Sequence, residues 1–179
     1  MNNNISKYKK LLLPALCVIV IVTVLVSTVV GSSRSLEETI DIYVNSYMTG
    51  DAEAIFELLP KSYVNSSIQS GRFSSEDAMI AIIQNTIDYV VGCYESDVGG
   101  SFTYTYRVEL NREQPHLIDY YTYTYDYGSD AEKIKEARSV LYYLALTSPT
   151  KTSSPGHSLN FLQINNDWYL ASLDDMLRN

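Results

Sequence analysis

Histidine and cysteine are scarce in this chain, with two of each in 179 residues. Cys17 lies inside an apolar run and Cys93 far outside it, so an intramolecular disulfide is not expected. One remaining thiol and two dispersed histidines cannot make up a zinc ligand set, and no metal or other cofactor is expected. Cys93 reads as a half-buried structural thiol. No Gly-x-Ser-x-Gly elbow occurs, and Gly99-Gly100 reads as a turn before a strand rather than a phosphate loop. Neither His116 nor His157 has a carboxylate at a spacing that implies pairing, so both read as solvated loop histidines. Asp41 and Glu57 fall on polar helix faces, and Asp88 reads as a surface charge. No catalytic residue is therefore assigned. Asn65-Ser66-Ser67 matches a glycosylation acceptor, a pattern short enough to arise by chance.

Positive charge is also sparse beyond the N-terminus. Residues 1–34 hold four basic residues (Lys7, Lys9, Lys10, Arg34) and no acidic one. That leaves 9 of the 13 basic residues against all 21 acidic ones, a net charge of −12 on the remainder. Such a surface repels phosphate backbones, which argues against nucleic acid as a partner.

What the chain does have is one long uncharged stretch, Leu11 to Val30. At about 1.5 Å per residue its 20 residues match the roughly 30 Å hydrocarbon core of a bilayer. Three lysines precede it, while Glu37, Glu38 and Asp41 follow, so the charge bias puts the N-terminus in the cytoplasm and the rest outside. Pro14 falls in the first turn, where a missing N–H costs little. The expected organisation is a cytoplasmic tail (1–10), a transmembrane helix (11–30), a linker (31–34) and an extracytoplasmic domain (35–179). A cleaved signal peptide is the alternative, with Gly31-Ser32-Ser33 as small residues for a cut. Lipidation at Cys17 fits poorly, because bulky Leu16 precedes it.

Ser35 to Glu38 reads as a capping box, followed by Leu36, Ile40, Tyr43, Val44 and Tyr47 at helical spacing up to Gly50. Asp51 opens a short helix ending at Pro60, and 61–73 reads as loop. Ser75 opens a third helix along Ile80, Ile83, Ile87 and Val90, with Gly92 as its stop. From Phe102 to Leu110 apolar and polar residues alternate, the period of a half-buried strand. Further strands are expected over 139–148, 159–164 and 168–172, with 149–157 a polar loop and Asn165-Asn166-Asp167 a tight hairpin. Residues 117–127 fit either a strand or a helical face, and 130–138 reads as a short helix. Sixteen tyrosines supply most of the aromatic bulk, and Trp168 reads as a core anchor of the last strand. On the first strand Phe102, Tyr104, Tyr106 and Val108 share one face, as packing against the helices or as the lining of a pocket.

Three helices followed by antiparallel strands give an α+β class, helices packed on one face of a curved sheet. The opening helix from Ser35, the Thr49-Gly50-Asp51 turn, the helix end Leu58-Leu59-Pro60 and the closing hairpin Ile164 to Leu170 together resemble the nuclear transport factor 2-like, or cystatin-like, fold. In particular they resemble small domains of uncharacterised function found behind a bacterial signal or anchor. The likeness spans roughly residues 35–172 and implies a cone-shaped domain, a fold that hosts enzymes, binders and assembly parts alike. The first expectation is a membrane-anchored, non-enzymatic binding or interaction module with a protein partner in the envelope or a small ligand. The second is an assembly component of an envelope machine of the type IV secretion kind, and the third a small isomerase-type enzyme.

Overall fold

A computed structural model of the chain describes residues 33–178. The expected tail and transmembrane helix (residues 1–30) lie outside the described residues. Among the described residues no helix is long and apolar enough to cross a membrane.

Helix α1 (Leu36–Thr49) starts where Ser35 Oγ accepts from the Glu38 N–H at 3.1 Å, and stops at Gly50, whose φ of 80° only glycine adopts readily. Its stripe Leu36, Ile40, Tyr43, Val44 and Tyr47 is buried. Asp51 caps α2 (Ala52–Phe56) through the Ala54 N–H at 3.0 Å. Pro60 does not open a loop as expected; it sits at the N-cap of a further helix, α3 (Lys61–Gln69). Its buried residues, Tyr63, Val64 and Ser67, include only two apolar ones, too few for the period to show in the sequence. Helix α4 (Glu76–Val98) runs 23 residues, straight through Gly92 to a left-handed Gly99. Packing of Tyr94 and Val98 sustains it past a residue whose helix cost is about 1 kcal/mol.

The sheet is antiparallel throughout. Strands β1 (Thr103–Glu113), β2 (Ile134–Thr147), β4 (Gly156–Ile164) and β5 (Asp167–Leu170) lie side by side in that order, and the short β3 (Thr152–Ser153) folds back on β2. The two-way stretch 117–127 resolves as helix α5 (His116–Thr124), followed by a 3₁₀ turn (Gly128–Lys133). The helix expected over 130–138 is thus corrected: from Ile134 onward these residues are β2, because Ala137 pairs across to Leu162 and both are fully buried. Asn165 turns the β4–β5 hairpin with φ 59°, a conformation asparagine tolerates. A last helix, α6 (Leu173–Leu177), follows directly on the β5 strand, and Ser172 caps it where strand was expected to continue.

Val140, Tyr142, Leu144 and Leu146 of β2 and His157, Leu159 and Phe161 of β4 form the buried face that receives α1 and α4. Each of the larger apolar side chains among these contributes roughly 1.5–3 kcal/mol by leaving water. Asn160 points to the opposite face and meets α5 and α6 through Tyr121 and Asp175. The two sheet edges differ. The outer edge of β5 is taken up: the Trp168 N–H donates to Arg34 O at 3.1 Å and the Leu170 N–H to Leu58 O at 2.9 Å. The outer edge of β1 meets no strand among the described residues.

Candidate functional site

The four candidate pocket-lining residues, Phe102, Tyr104, Tyr106 and Val108, follow one another along β1 and its lead-in as the alternation places them. Tyr104 donates to Asn45 Oδ1 at 3.0 Å, and Tyr106 donates to Asp41 on the same helix, α1. The Tyr106 ring meets Tyr142 edge-on, and Phe102 meets Tyr94 in the same way. Val108, 42% exposed, stands beyond this cover. The clefts described below are lined by other residues.

Two polar clusters sit inside the fold. His157, expected in a solvated loop, is buried on β4. Its Nε2 is 2.5 Å from the Tyr94 hydroxyl, and its ring stacks on Tyr142. Burial pushes the imidazole pKa below its ordinary value, so the ring is held neutral. The same surroundings push the Tyr94 and Tyr142 hydroxyls up.

The second cluster gathers around α6. Asp175 Oδ2 accepts from Tyr121 at 2.6 Å and from Ser172 Oγ at 2.8 Å, and Oδ1 accepts from Asn160 Nδ2 at 3.2 Å. Burial nevertheless raises the Asp175 pKa, outweighing these three donors. Its neighbour behaves oppositely. Burial pushes Asp174 up as well, but the Tyr125 hydroxyl and the Arg72 guanidinium together hold it below the usual range. Arg72 also lies over the Tyr125 ring at 5.1 Å. The His157 cluster is buried and the Asp175 cluster half-buried, with the Arg72–Asp174 pair at its solvent side, and both act as polar networks that fix helix positions.

An open concavity with convergent charge lies elsewhere, beside the segment joining α2 to α3. A cleft of about 450 Å³ is lined by Arg34, Glu57, Leu59, Lys61, Asp130, Asp167 and Tyr169, among others. A second, of about 530 Å³, shares Glu57, Leu59 and Lys61 with it and adds Phe56, Val64 and Glu76. The backbone explains why Arg34 is fixed here. Its N–H donates to Asp167 Oδ1 at 2.7 Å, its Nε to Trp168 O at 3.0 Å, and its guanidinium lies 4.9 Å over the Tyr169 ring. Lys61 is the first residue of α3, placed by the fixed φ of Pro60. Asp130 bonds Lys133 at 2.9 Å, and that contact lowers its pKa.

The resulting groove carries both signs of charge over an apolar floor of Leu59 and its neighbours. A carboxylate held below its usual range stays ionised near neutrality and is a poor general base there. The arrangement suits recognition of a ligand bearing both charges, such as a polypeptide segment. The groove does not show in the sequence, where Arg34 falls in a linker, Lys61 in a loop and Asp130 at the start of a helix. The one available signal is Leu-Leu-Pro-Lys at 58–61, an apolar pair and a lysine at a forced chain turn. No protein-family model, curated protein or solved structure matches this chain.

Proposed function

We propose that this chain is a membrane-anchored, extracytoplasmic interaction module of the nuclear transport factor 2-like kind, which holds a protein partner of the envelope in the groove around Leu59 and Lys61. The observation that carries the reading is the two-signed charge of that groove, with Arg34 preset by two hydrogen bonds and the Tyr169 ring. A cation held in place before binding loses little freedom on binding. The curved antiparallel sheet with α1 and α4 on one face agrees with the cone architecture. The uncharged run 11–30 and its flanking charges supply the anchor and the orientation. Binding rather than catalysis is favoured because buried His157 and half-buried Asp175 are engaged by core partners outside the groove.

The test is a photo-crosslinking residue placed at Lys61 in the full-length protein in its native membrane. A discrete adduct with another protein is expected from position 61 and not from Lys151, which bonds Asp97 at a different site. Equal labelling from both positions, or none from 61, refutes the reading.

A further inference from the structure

The groove around Leu59 and Lys61 holds hydrogen-bond donors without partners, while most of its acceptors are engaged. Resting on the reading of that groove as a docking site, we infer that the partner segment carries a carboxylate, received by Arg34, Lys61 and Tyr169, and close to it in sequence an apolar side chain that fills the adjoining cleft beside Phe56.

Five ion pairs among the described residues take up Arg72, Arg107, Lys133, Arg138 and Lys151. Neither Arg34 nor Lys61 is in one, although both line a cleft that also holds Glu57, Asp130 and Asp167. The Arg34 Nε donates to Trp168 O, and the Tyr169 ring lies 4.9 Å from the guanidinium carbon. A guanidinium fixed at Nε and at its face keeps its Nη groups for a ligand, and their planar spread fits carboxylate oxygens. The Tyr169 hydroxyl makes no hydrogen bond to another described residue. Burial raises its pKa, with Asp167 and Asp130 adding to the rise and Arg34 opposing it, so it stays protonated and able to donate. The acceptors are in a different state. Asp130 accepts from Lys133, and Asp167 accepts from the Arg34 N–H. Of the three acids only Glu57, exposed at the junction of the two clefts, pairs with no described cation. On a strongly acidic domain, two unpaired cations and an idle hydroxyl donor in one cleft are complementary to an incoming acid.

The three carboxylates around the same cleft set a limit on that acid. A single negative charge is offset by Arg34 and Lys61, whereas a phosphate dianion would bring a second charge up to Glu57, Asp130 and Asp167. The apolar half of the signature comes from the second cleft, which shares Glu57, Leu59 and Lys61 with the first and adds Phe56 and Val64. Leu59 and Val64 are buried and Phe56 half-buried, so an apolar side chain seated there leaves water against an apolar wall. Lys61 borders both clefts, which brings the two subsites within reach of one short segment.

The test is a random peptide library, coupled to beads through its N-termini and selected against the full-length protein in detergent. It is run once with free C-termini and once with amidated ones. Enriched peptides are expected to carry an acid near an apolar residue. That is the reverse of what the acidic surface as a whole would collect, which is basic peptides. Enrichment in both forms assigns a side-chain carboxylate, and enrichment only with free C-termini assigns the terminal one. An enriched acidic peptide, resynthesised, is expected to bind Lys61→Glu roughly tenfold or more weakly than wild type. Its counterpart with lysine in place of the acid is expected to bind Lys61→Glu better than wild type. Peptides that crosslink to a photo-reactive residue at position 61 but are basic or uncharged overturn this inference and leave the groove reading standing. Acidic peptides indifferent to Lys61→Glu overturn it as well. A library from which nothing crosslinks at position 61 overturns both.

Discussion

His157 and Asp175 are the residues at which the chain's polar interior can be probed, and they pull stability in opposite directions with pH. The His157 pKa is lowered in the fold by burial, so the unfolded chain binds its proton first as pH falls. Stability is therefore lost as pH drops below about 6.5, the ordinary histidine value. Urea unfolding at a series of pH values is expected to show that slope in the wild type, and to show it reduced in His157→Gln, which can still bond Tyr94. Asp175 has a raised pKa, again from burial, so its contribution is present at low pH and declines as pH rises through the raised value. Tyr121 both donates to Asp175 and accepts from Asn160. Tyr121→Phe strips both bonds in a buried site and is expected to cost about 1–3 kcal/mol by denaturant unfolding at neutral pH. It also removes a donor that favours the ionised carboxylate, so the Asp175 pKa should climb further, measurable by carboxyl carbon NMR titration.

Among the elements, α4 shows best where local signals and packing part. Its N-terminal cap at Ser75 obeys the sequence rules and the expected start is where the helix begins, but of the expected stripe only Ile83 and Ile87 are buried; Ile80 and Val90 are half-buried and Met79 takes the core position instead. Its expected stop at Gly92 fails, because a glycine inside a helix is tolerated when the turns beyond it bury Tyr94 and Val98. Gly92 has a helical backbone and open space where a Cβ would stand. Gly92→Ala is therefore expected to stabilise the domain by about 0.5–1 kcal/mol, read as a shift of the urea midpoint at unchanged slope. The strands are legible in the sequence wherever one face is solvated, as in β1. Residues 134–138 of β2 are not: their charges mimic a helix surface, and only pairing with β4 commits them to the sheet. Helix α3 leaves little trace because its amphipathic signal is a tyrosine and a valine amid serines. Cys93 is likewise exposed rather than half-buried, since it follows Gly92 on the outward side of α4.

At the scale of the whole molecule, the α+β class follows from the change of period between Val98 and Thr103, while the helices α3, α5 and α6 do not follow from it. The groove does not follow in this way, since it is assembled from Arg34, Lys61, Asp130 and Asp167, residues spread over most of the domain. Only the path of the chain past the β5 edge brings Arg34 and the 58–61 turn together, through the bonds to Trp168 and Leu170. That convergence gives the acidic domain two cations beside carboxylates at one open face. On the proposed reading, docking of a partner there would be steered by charge and is expected to weaken with added salt.

The most direct test is a quantitative pull-down of the full-length protein from detergent-solubilised cells, wild type against Lys61→Glu, with mass spectrometry of what accompanies each. Lys61 is exposed at the start of α3, so the substitution leaves the core intact. A partner present in comparable amount with the wild type and depleted at least about tenfold with the variant is the predicted result. The same set of proteins in the same amounts from both would contradict the groove as the docking surface.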